Sequence, residues 1–152
     1  MKRFIRDKPY YFCVIIDLFS RKVISYSIQN RQETSIILST FENAFQVRDY
    51  PENLTFHSDQ GGQYTSQAFK KYLRYRRINQ SFSNPGCPYD NAVAESFFRT
   101  IKAEEIHRQF YQTADDLYAS IDEYIEFFNY KRPHQKLGYR TPAQVEEVYF
   151  SA

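Results

Sequence analysis

The stretch Tyr10-Tyr11-Phe12-Cys13-Val14-Ile15-Ile16-Asp17-Leu18 constrains this chain most. A near-continuous run of aromatic and β-branched residues reads as a strand covered on both faces, so at least two layers must pack around it. A polar turn at Ser20-Arg21-Lys22 follows. Val23 to Ile28 then alternates, with Ile24, Tyr26 and Ile28 on one side and Ser25 and Ser27 on the other, which predicts an antiparallel hairpin partner. With 152 residues, one domain spanning 1–152 with a single compact core is expected.

Beyond the hairpin the pattern turns mixed. Ile37, Leu38, Phe41, Ala44 and Phe45 fall at helical spacing, predicting a helix over 34–48 with Thr34 as its N-cap. Leu54 to His57 is a short strand ending at Ser58-Asp59-Gln60-Gly61-Gly62, so Asp59 stands at a strand end before a glycine turn. A second helix spans 66–77, apolar at Phe69, Tyr72 and Leu73, with a basic stripe of Lys70, Lys71, Arg74 and Arg77 opposite. Ile78 to Ser83 reads as a strand, and 84–90 as a Pro/Gly loop whose end, Asp90 or Asn91, can cap the next helix. That helix runs from Asn91 to about His107 and places Glu95, Arg99 and Lys102 on one face, with Val93, Phe97 and Ile101 on another. A further helix over 114–128 buries Leu117, Ile121, Tyr124, Ile125 and Phe128. It carries five acidic and no basic residues through Tyr130, a surface that repels DNA. Tyr124, Phe127 and Phe128 read as core rather than as a stacking platform. Thr141-Pro142 starts a last short helix reaching about Tyr149. Strands interleaved with helices define an α/β chain.

Charge and cysteines narrow the setting. The formal charge of +2 does not announce a nucleic-acid partner, so any such reading rests on local stripes. No apolar run approaches the roughly 20 residues of a membrane span, and Cys13 and Cys87 match neither a disulfide framework nor a metal-ligand spacing. A cytoplasmic protein is expected.

Several constellations can carry chemistry. Asp59 at a strand end and Glu95 in the first turns of a helix could together grip a hard divalent cation, with Arg99 and Lys102 facing a phosphate backbone. Each carboxylate reads equally well as a cap or helix-dipole partner. His57-Ser58-Asp59 holds hydrolase residue types, but adjacent strand residues point to opposite faces, against a triad. His57, His107 and His134 lack zinc-ligand spacing. The basic stripe around Lys70 and Arg74 is either a solvated face or a DNA contact.

Four ordered motifs resemble a known family. They are Ile16-Asp17-Leu18-Phe19-Ser20-Arg21, the string His57 to Ser66, the segment Ser83 to Ala92 leading to Glu95-Ser96-Phe97-Phe98 and Lys102, and the closing run Tyr130 to Pro142. Together they resemble the catalytic core of bacterial insertion-element transposases related to retroviral integrases. The resemblance implies a ribonuclease H-like fold: a mixed five-stranded sheet with helices on both faces, its first strand largely missing here. It also implies a site of three carboxylates, Asp, Asp and Glu, holding two Mg²⁺ or Mn²⁺ ions. Asp59 and Glu95, with 35 residues between them, match the second and third. Lys102 matches the family's DNA-contacting basic residue, and Tyr89, Asp90 and Asn91 lie in the loop beside the scissile phosphate. The implied chemistry is metal-dependent phosphodiester cleavage and strand transfer on DNA, by a homo-multimer on paired element ends.

The family's first Asp has no match, and its place would fall a few residues before Met1. Asp17, on the second strand, reads as the cap of its turn, and a substitute-ligand assignment is the weaker alternative. An upstream helix-turn-helix region is also expected to be missing. Strand transfer by these 152 residues is accordingly expected to be absent or very weak, with a non-catalytic DNA-binding remnant or a nuclease on the same fold as the alternatives. The strand over 10–18 is expected to show an apolar open edge and to limit solubility.

Overall fold

The computed structural model describes residues 2–5, 8–31, 33–84 and 91–151, and it is built on five strands and six helices. β1 (Lys2–Ile5), β2 (Lys8–Ile16) and β3 (Val23–Gln29) form an antiparallel ladder in that order. β4 (Thr55–Ser58) and β5 (Asn79–Phe82) pair in parallel, Phe56 opposite Gln80. The helices are α1 (Thr34–Val47), α2 (Gly62–Thr65), α3 (Gln67–Tyr75), α4 (Ala92–Ile101), α5 (Ala114–Tyr130) and α6 (Pro142–Phe150).

Alternation along β2 divides the interior. Phe12, Val14 and Ile16 face a cluster built with α4 and α5, where Phe97, Ile101, Ile121 and Phe128 are buried. Cys13 and Ile15 face the other side, where Ile36, Phe41, Phe56, Phe69 and Leu73 close a second cluster with α1 and α3. The single compact core expected from the sequence is thus two cores, one on each face of the sheet, as a strand buried on both sides demands. Aromatic edges knit both: Phe41 meets Phe56 at 5.0 Å between centroids, and Phe97 meets Phe128 at 5.0 Å.

Local chemistry fixes the ends. Ser66 caps α3 by accepting the Phe69 N–H, while Thr113 and Thr141 open α5 and α6 with reciprocal capping boxes. Thr34 is not the N-cap of α1. That position belongs to Glu33, and Thr34 is the first helical residue. Asn91 stands at the N-cap of α4 without a side-chain cap bond, and Asp90 lies outside the described residues. The helix expected over 91–107 ends as a regular α-helix at Ile101 and continues as a π-turn, Lys102–Ile106, closed by the His107 N–H to the Lys102 carbonyl at 2.9 Å.

Among the described residues the five strands form two ladders rather than one continuous sheet. β1 is four residues long and its register, Lys2 opposite Tyr11 through Ile5 opposite Lys8, follows only the first part of β2. Between the rest of β2 and β4 lies a cavity of about 470 Å³. Along this cavity Cys13 is buried and Ile15 half-buried.

Candidate functional site

Asp59 is the first residue after β4 and is exposed. Its Oδ1 accepts the Gly61 N–H at 2.9 Å, which turns the chain and aims the carboxylate along the start of α2. A methyl group at Gly61 would sit 2.9 Å from that Oδ1, so any side chain here must displace the carboxylate, although the φ of −55° is ordinary. Gln60 Nε2 donates to the Ser83 carbonyl at 3.2 Å and Gln80 Nε2 to the Tyr64 carbonyl at 2.7 Å, tying this loop to β5. Burial, with Cys13 and Asp59 nearby, pushes the Tyr64 phenol well above its ordinary pKa, so it stays neutral beside Asp59.

The carboxylate of Asp59, Tyr64 and the N-terminal residues of α4 (Asn91, Val93 and Ala94) line the same cavity. Glu95 follows in the first turn of α4, with its N–H on the Asn91 carbonyl at 3.1 Å. Along the same face, Glu95, Arg99, Lys102 and His107 line a groove of about 530 Å³. Phe98 borders both groove and cavity, so α4 is the shared wall between Asp59 and the basic residues. Helical spacing had placed Glu95, Arg99 and Lys102 together. Sequence gave no signal for His107, which the π-turn brings to this groove.

Asp17 is differently employed. Its Oδ1 accepts the N–H groups of Phe19 and Ser20, both at 2.9 Å, and its Oδ2 faces Arg48 at 3.4 Å. Arg48 also binds Glu146 of α6, which accepts further from Ser20 Oγ at 2.9 Å and Lys22 Nζ at 2.8 Å. Burial pushes the Glu146 carboxyl up, but these three donors outweigh it and hold the carboxyl below its ordinary range. Asp17 thus caps the β2–β3 turn and belongs to a structural network.

The histidines are dispersed. His57 places Nδ1 3.0 Å from Ser81 Oγ and Nε2 3.1 Å from Ser83 Oγ, which locks its ring across β4 and β5. His134 donates from Nε2 to the Phe128 carbonyl at 3.1 Å with its ring edge-on to Phe128, and burial lowers its pKa. The helix expected over 66–77 ends at Tyr75: Lys71 and Arg74 on α3 are exposed and Lys70 half-exposed, while Arg77 is exposed two residues beyond it with a left-handed φ of 56°. Arg76, next to the stripe, pairs with Glu42 at 2.6 Å and lies over the rings of Phe45, Tyr50, Tyr72 and Tyr75. Phe127, expected in the core, is 41% exposed. Tyr89 lies outside the described residues.

The donor set fits a hard cation in kind. Asp59 and Glu95 are exposed carboxylates on two elements, and oxygen ligands of this type suit Mg²⁺ or Mn²⁺. Among the described residues no three His, Cys, Asp or Glu side chains form a ligand cluster. Two carboxylates would hold such an ion loosely.

The arrangement of ladders and helices is the ribonuclease H-like fold of retroviral integrase catalytic cores. The HTLV-2 integrase catalytic core, solved in complex with magnesium, superposes with a TM-score of 0.73 at 18% identity over 95% of this chain and 90% of that one. The core of BIV integrase gives 0.66 at 17% identity, covering 99% and 94%. In sequence, residues 2–88 and 76–142 each match an integrase core domain family, and the chain belongs to that family. It is 37% identical to the transposase of insertion sequence element IS904 from Lactococcus lactis over 93% of its length and 56% of the relative. It is 36% identical to transposase InsF of IS3A from Escherichia coli, over 90% and 48%. The chain therefore spans about half the length of these relatives. No described helix is long and apolar enough to cross a membrane.

Proposed function

We propose that this chain is the catalytic core of an insertion-element transposase, acting on DNA through a divalent metal. The observation that carries this reading is α4 and the π-turn that continues it: Glu95, Arg99 and Lys102 lie along one groove, and the helix start borders the cavity of Asp59. Asp59 and Glu95 are the carboxylates that would hold Mg²⁺ or Mn²⁺. A bound ion supplies Lewis acidity at the phosphodiester and acidifies the attacking hydroxyl.

The chain's own residues do the rest. Gly61 orients Asp59 through its N–H. Arg99 and Lys102 neutralise phosphates of the DNA end beside the carboxylates, and Asn91 flanks the same strand. Lys70 and Arg74 extend the basic surface along α3. The reaction is hydrolysis at the element end followed by in-line attack of the 3′-hydroxyl on target DNA, performed by a multimer that holds two ends.

Asp17 is committed to its turn, so among the described residues Asp59 and Glu95 are the carboxylates this reading assigns to the metal. Strand joining by this polypeptide alone is expected to be absent or very weak, while salt-sensitive DNA binding persists. A second, binding-only reading rests on the exposed basic residues Lys71, Arg74, Arg99 and Lys102, which can contact DNA without a bound metal. The test is fluorescence anisotropy with a labelled element-end duplex in Mn²⁺ at increasing salt, with a parallel cleavage and joining assay. Binding that weakens with salt and drops at least tenfold on Arg99→Glu with Lys102→Glu is expected. Absence of binding at low salt, or indifference to both substitutions, would sink the proposal. Digestion of an RNA–DNA hybrid would point to a nuclease instead.

A further inference from the structure

The helix that carries Glu95 changes register before it ends, and the change decides which side chains reach the groove. In a continuous α-helix each residue turns by about 100°, so Glu95, Arg99 and Lys102 stay within about 60° of one another and Ile106 would come next on that face. His107 would stand about 120° from Glu95. The π-turn Lys102–Ile106, closed by the His107 N–H on the Lys102 carbonyl at 2.9 Å, holds one residue more than an α-turn. Every side chain beyond it therefore takes the angular place of its predecessor. Ile106 turns into the core cluster of Phe97 and Ile101, where it is 2% exposed. His107 takes the place that Ile106 would have had, and lines the groove with Arg99 and Lys102.

The same turn sorts charge. Glu104 is held by Arg132 at 2.6 and 2.8 Å and by the Tyr124 hydroxyl at 2.8 Å, and Glu105 accepts from Ser120 Oγ. Both carboxylates, with Arg108, line a separate groove beside α5 and are absent from the wall of this one. Between Lys102 and His107 that wall is Ala103, whose methyl group lets a strand pass close. His107 is exposed, and its imidazole offers at least one N–H donor in either tautomer. Glu95, the acidic residue among the groove's described lining, stands at the other end.

We infer that His107 is a DNA-contacting residue of this groove, its imidazole donating to a phosphate further from the cleaved bond than the phosphate that Lys102 neutralises. The inference rests on the reading of the groove as a DNA site. At about 1.5 Å per residue, the order Glu95, Arg99, Lys102, His107 extends on the order of 15 Å along the helix, room for several nucleotides at about 3.4 Å of rise each. His107 thus fixes the direction in which the strand leaves the carboxylates, as phosphate contacts set register without reading sequence.

The test walks a single methylphosphonate, which removes one phosphate charge, along the bound strand of a labelled element-end duplex. Anisotropy titrations then compare the full chain with its His107→Ala, Lys102→Ala and Arg108→Ala variants. His107→Ala is expected to weaken binding about three- to tenfold, the range of one lost hydrogen bond. One methylphosphonate that weakens binding by the unsubstituted chain is expected to cost His107→Ala nothing further, the mark of a direct contact rather than a structural effect. That position is expected to lie further from the cleaved bond than the one that couples in the same way to Lys102→Ala. Arg108→Ala removes a full charge one residue away, on the other groove, and is expected to couple to no phosphate. Coupling of Lys102 without coupling of His107, coupling of His107 at a phosphate nearer the cleaved bond, or equal coupling of Arg108 would each overturn the inference and leave the proposed function standing. Loss of coupling at Lys102 as well would instead remove DNA from the groove, and the inference with it.

Discussion

At the residue scale, Gly61 and Gly62 are neighbours with opposite demands. A Cβ at Gly61 would meet Asp59 Oδ1 at 2.9 Å, whereas one at Gly62 would meet nothing within 4 Å. Gly61→Ala must push the carboxylate aside or stretch its bond to the Gly61 N–H, while Gly62→Ala only stiffens the start of α2. Mn²⁺ titration followed by proton relaxation should therefore show roughly tenfold weaker binding for Gly61→Ala and unchanged binding for Gly62→Ala. Equal behaviour of the two variants would separate Asp59 from the metal. Asn129 makes the same kind of argument in the core. It is 5% exposed, and its side chain accepts the Val23 N–H and donates to the Val23 carbonyl, both at 2.9 Å, standing in for the next strand at the edge of β3. Asn129→Ala leaves both backbone groups buried without partners, at a cost of about 2–4 kcal/mol. Urea unfolding should show the lower midpoint with an unchanged slope.

At the element scale, the π-turn after α4 is held from a distance. Arg132 of the closing motif forks onto Glu104 with contacts of 2.8 and 2.6 Å, and the Tyr124 hydroxyl donates to the same carboxylate at 2.8 Å. The Arg132 bond, with help from Tyr124 and against the cost of burial, holds the Glu104 carboxyl below its ordinary range. A carboxyl depressed in the folded state contributes stability that is fully present above the unfolded value near 4.5 and is lost as pH falls through the folded one. Glu146 and Glu42 behave in the same sense, the latter through the Tyr72 hydroxyl. Thermal midpoints should thus fall steeply below about pH 4.5, and Glu104→Gln should flatten part of that slope while lowering the plateau above it. A slope unaltered by the substitution would show that Glu104 does not carry it. These contacts also explain what could be read beforehand. β2, β3, α1, α3, α5 and α6 are legible because each is specified locally, by alternation, helical spacing or a cap such as Thr141. The π-turn is not, since it depends on Arg132, 28 positions further on. Nor is α2, whose four residues carry no period and are held by Gln80 from β5.

At the scale of the whole molecule, charge is sorted by face while the total stays near neutral. α3 and the residues just after it expose Lys71, Arg74 and Arg77, α4 and its π-turn present Arg99 and Lys102, and α5 carries Asp115, Asp116, Asp122, Glu123 and Glu126 with no basic residue of its own, Lys131 just beyond it lying 3.8 Å from Glu126. The net charge of +2 conceals this separation, which is why composition alone was silent about a nucleic-acid partner. The helical face of Glu95, Arg99 and Lys102 was legible from spacing. Its approach to Asp59 was not, because α4, β2 and β4 must all pack before Asn91 and Asp59 share a cavity. The separation of charge makes a graded prediction. Each phosphate neutralised releases counterions, and the logarithm of DNA affinity then falls against the logarithm of salt by roughly 0.9 per contact. Arg99→Ala with Lys102→Ala should reduce that slope by about 2, and Lys70→Ala with Arg74→Ala by up to the same amount if α3 lies along the duplex. Asp122→Asn with Glu123→Gln, on the opposite-signed helix, should leave the slope where it was, since no phosphate approaches that face. Anisotropy titrations at four or five salt concentrations measure all three slopes. A slope that responds to the α5 pair and not to the α4 pair would place the DNA on the other side of the molecule, away from Asp59 and Glu95.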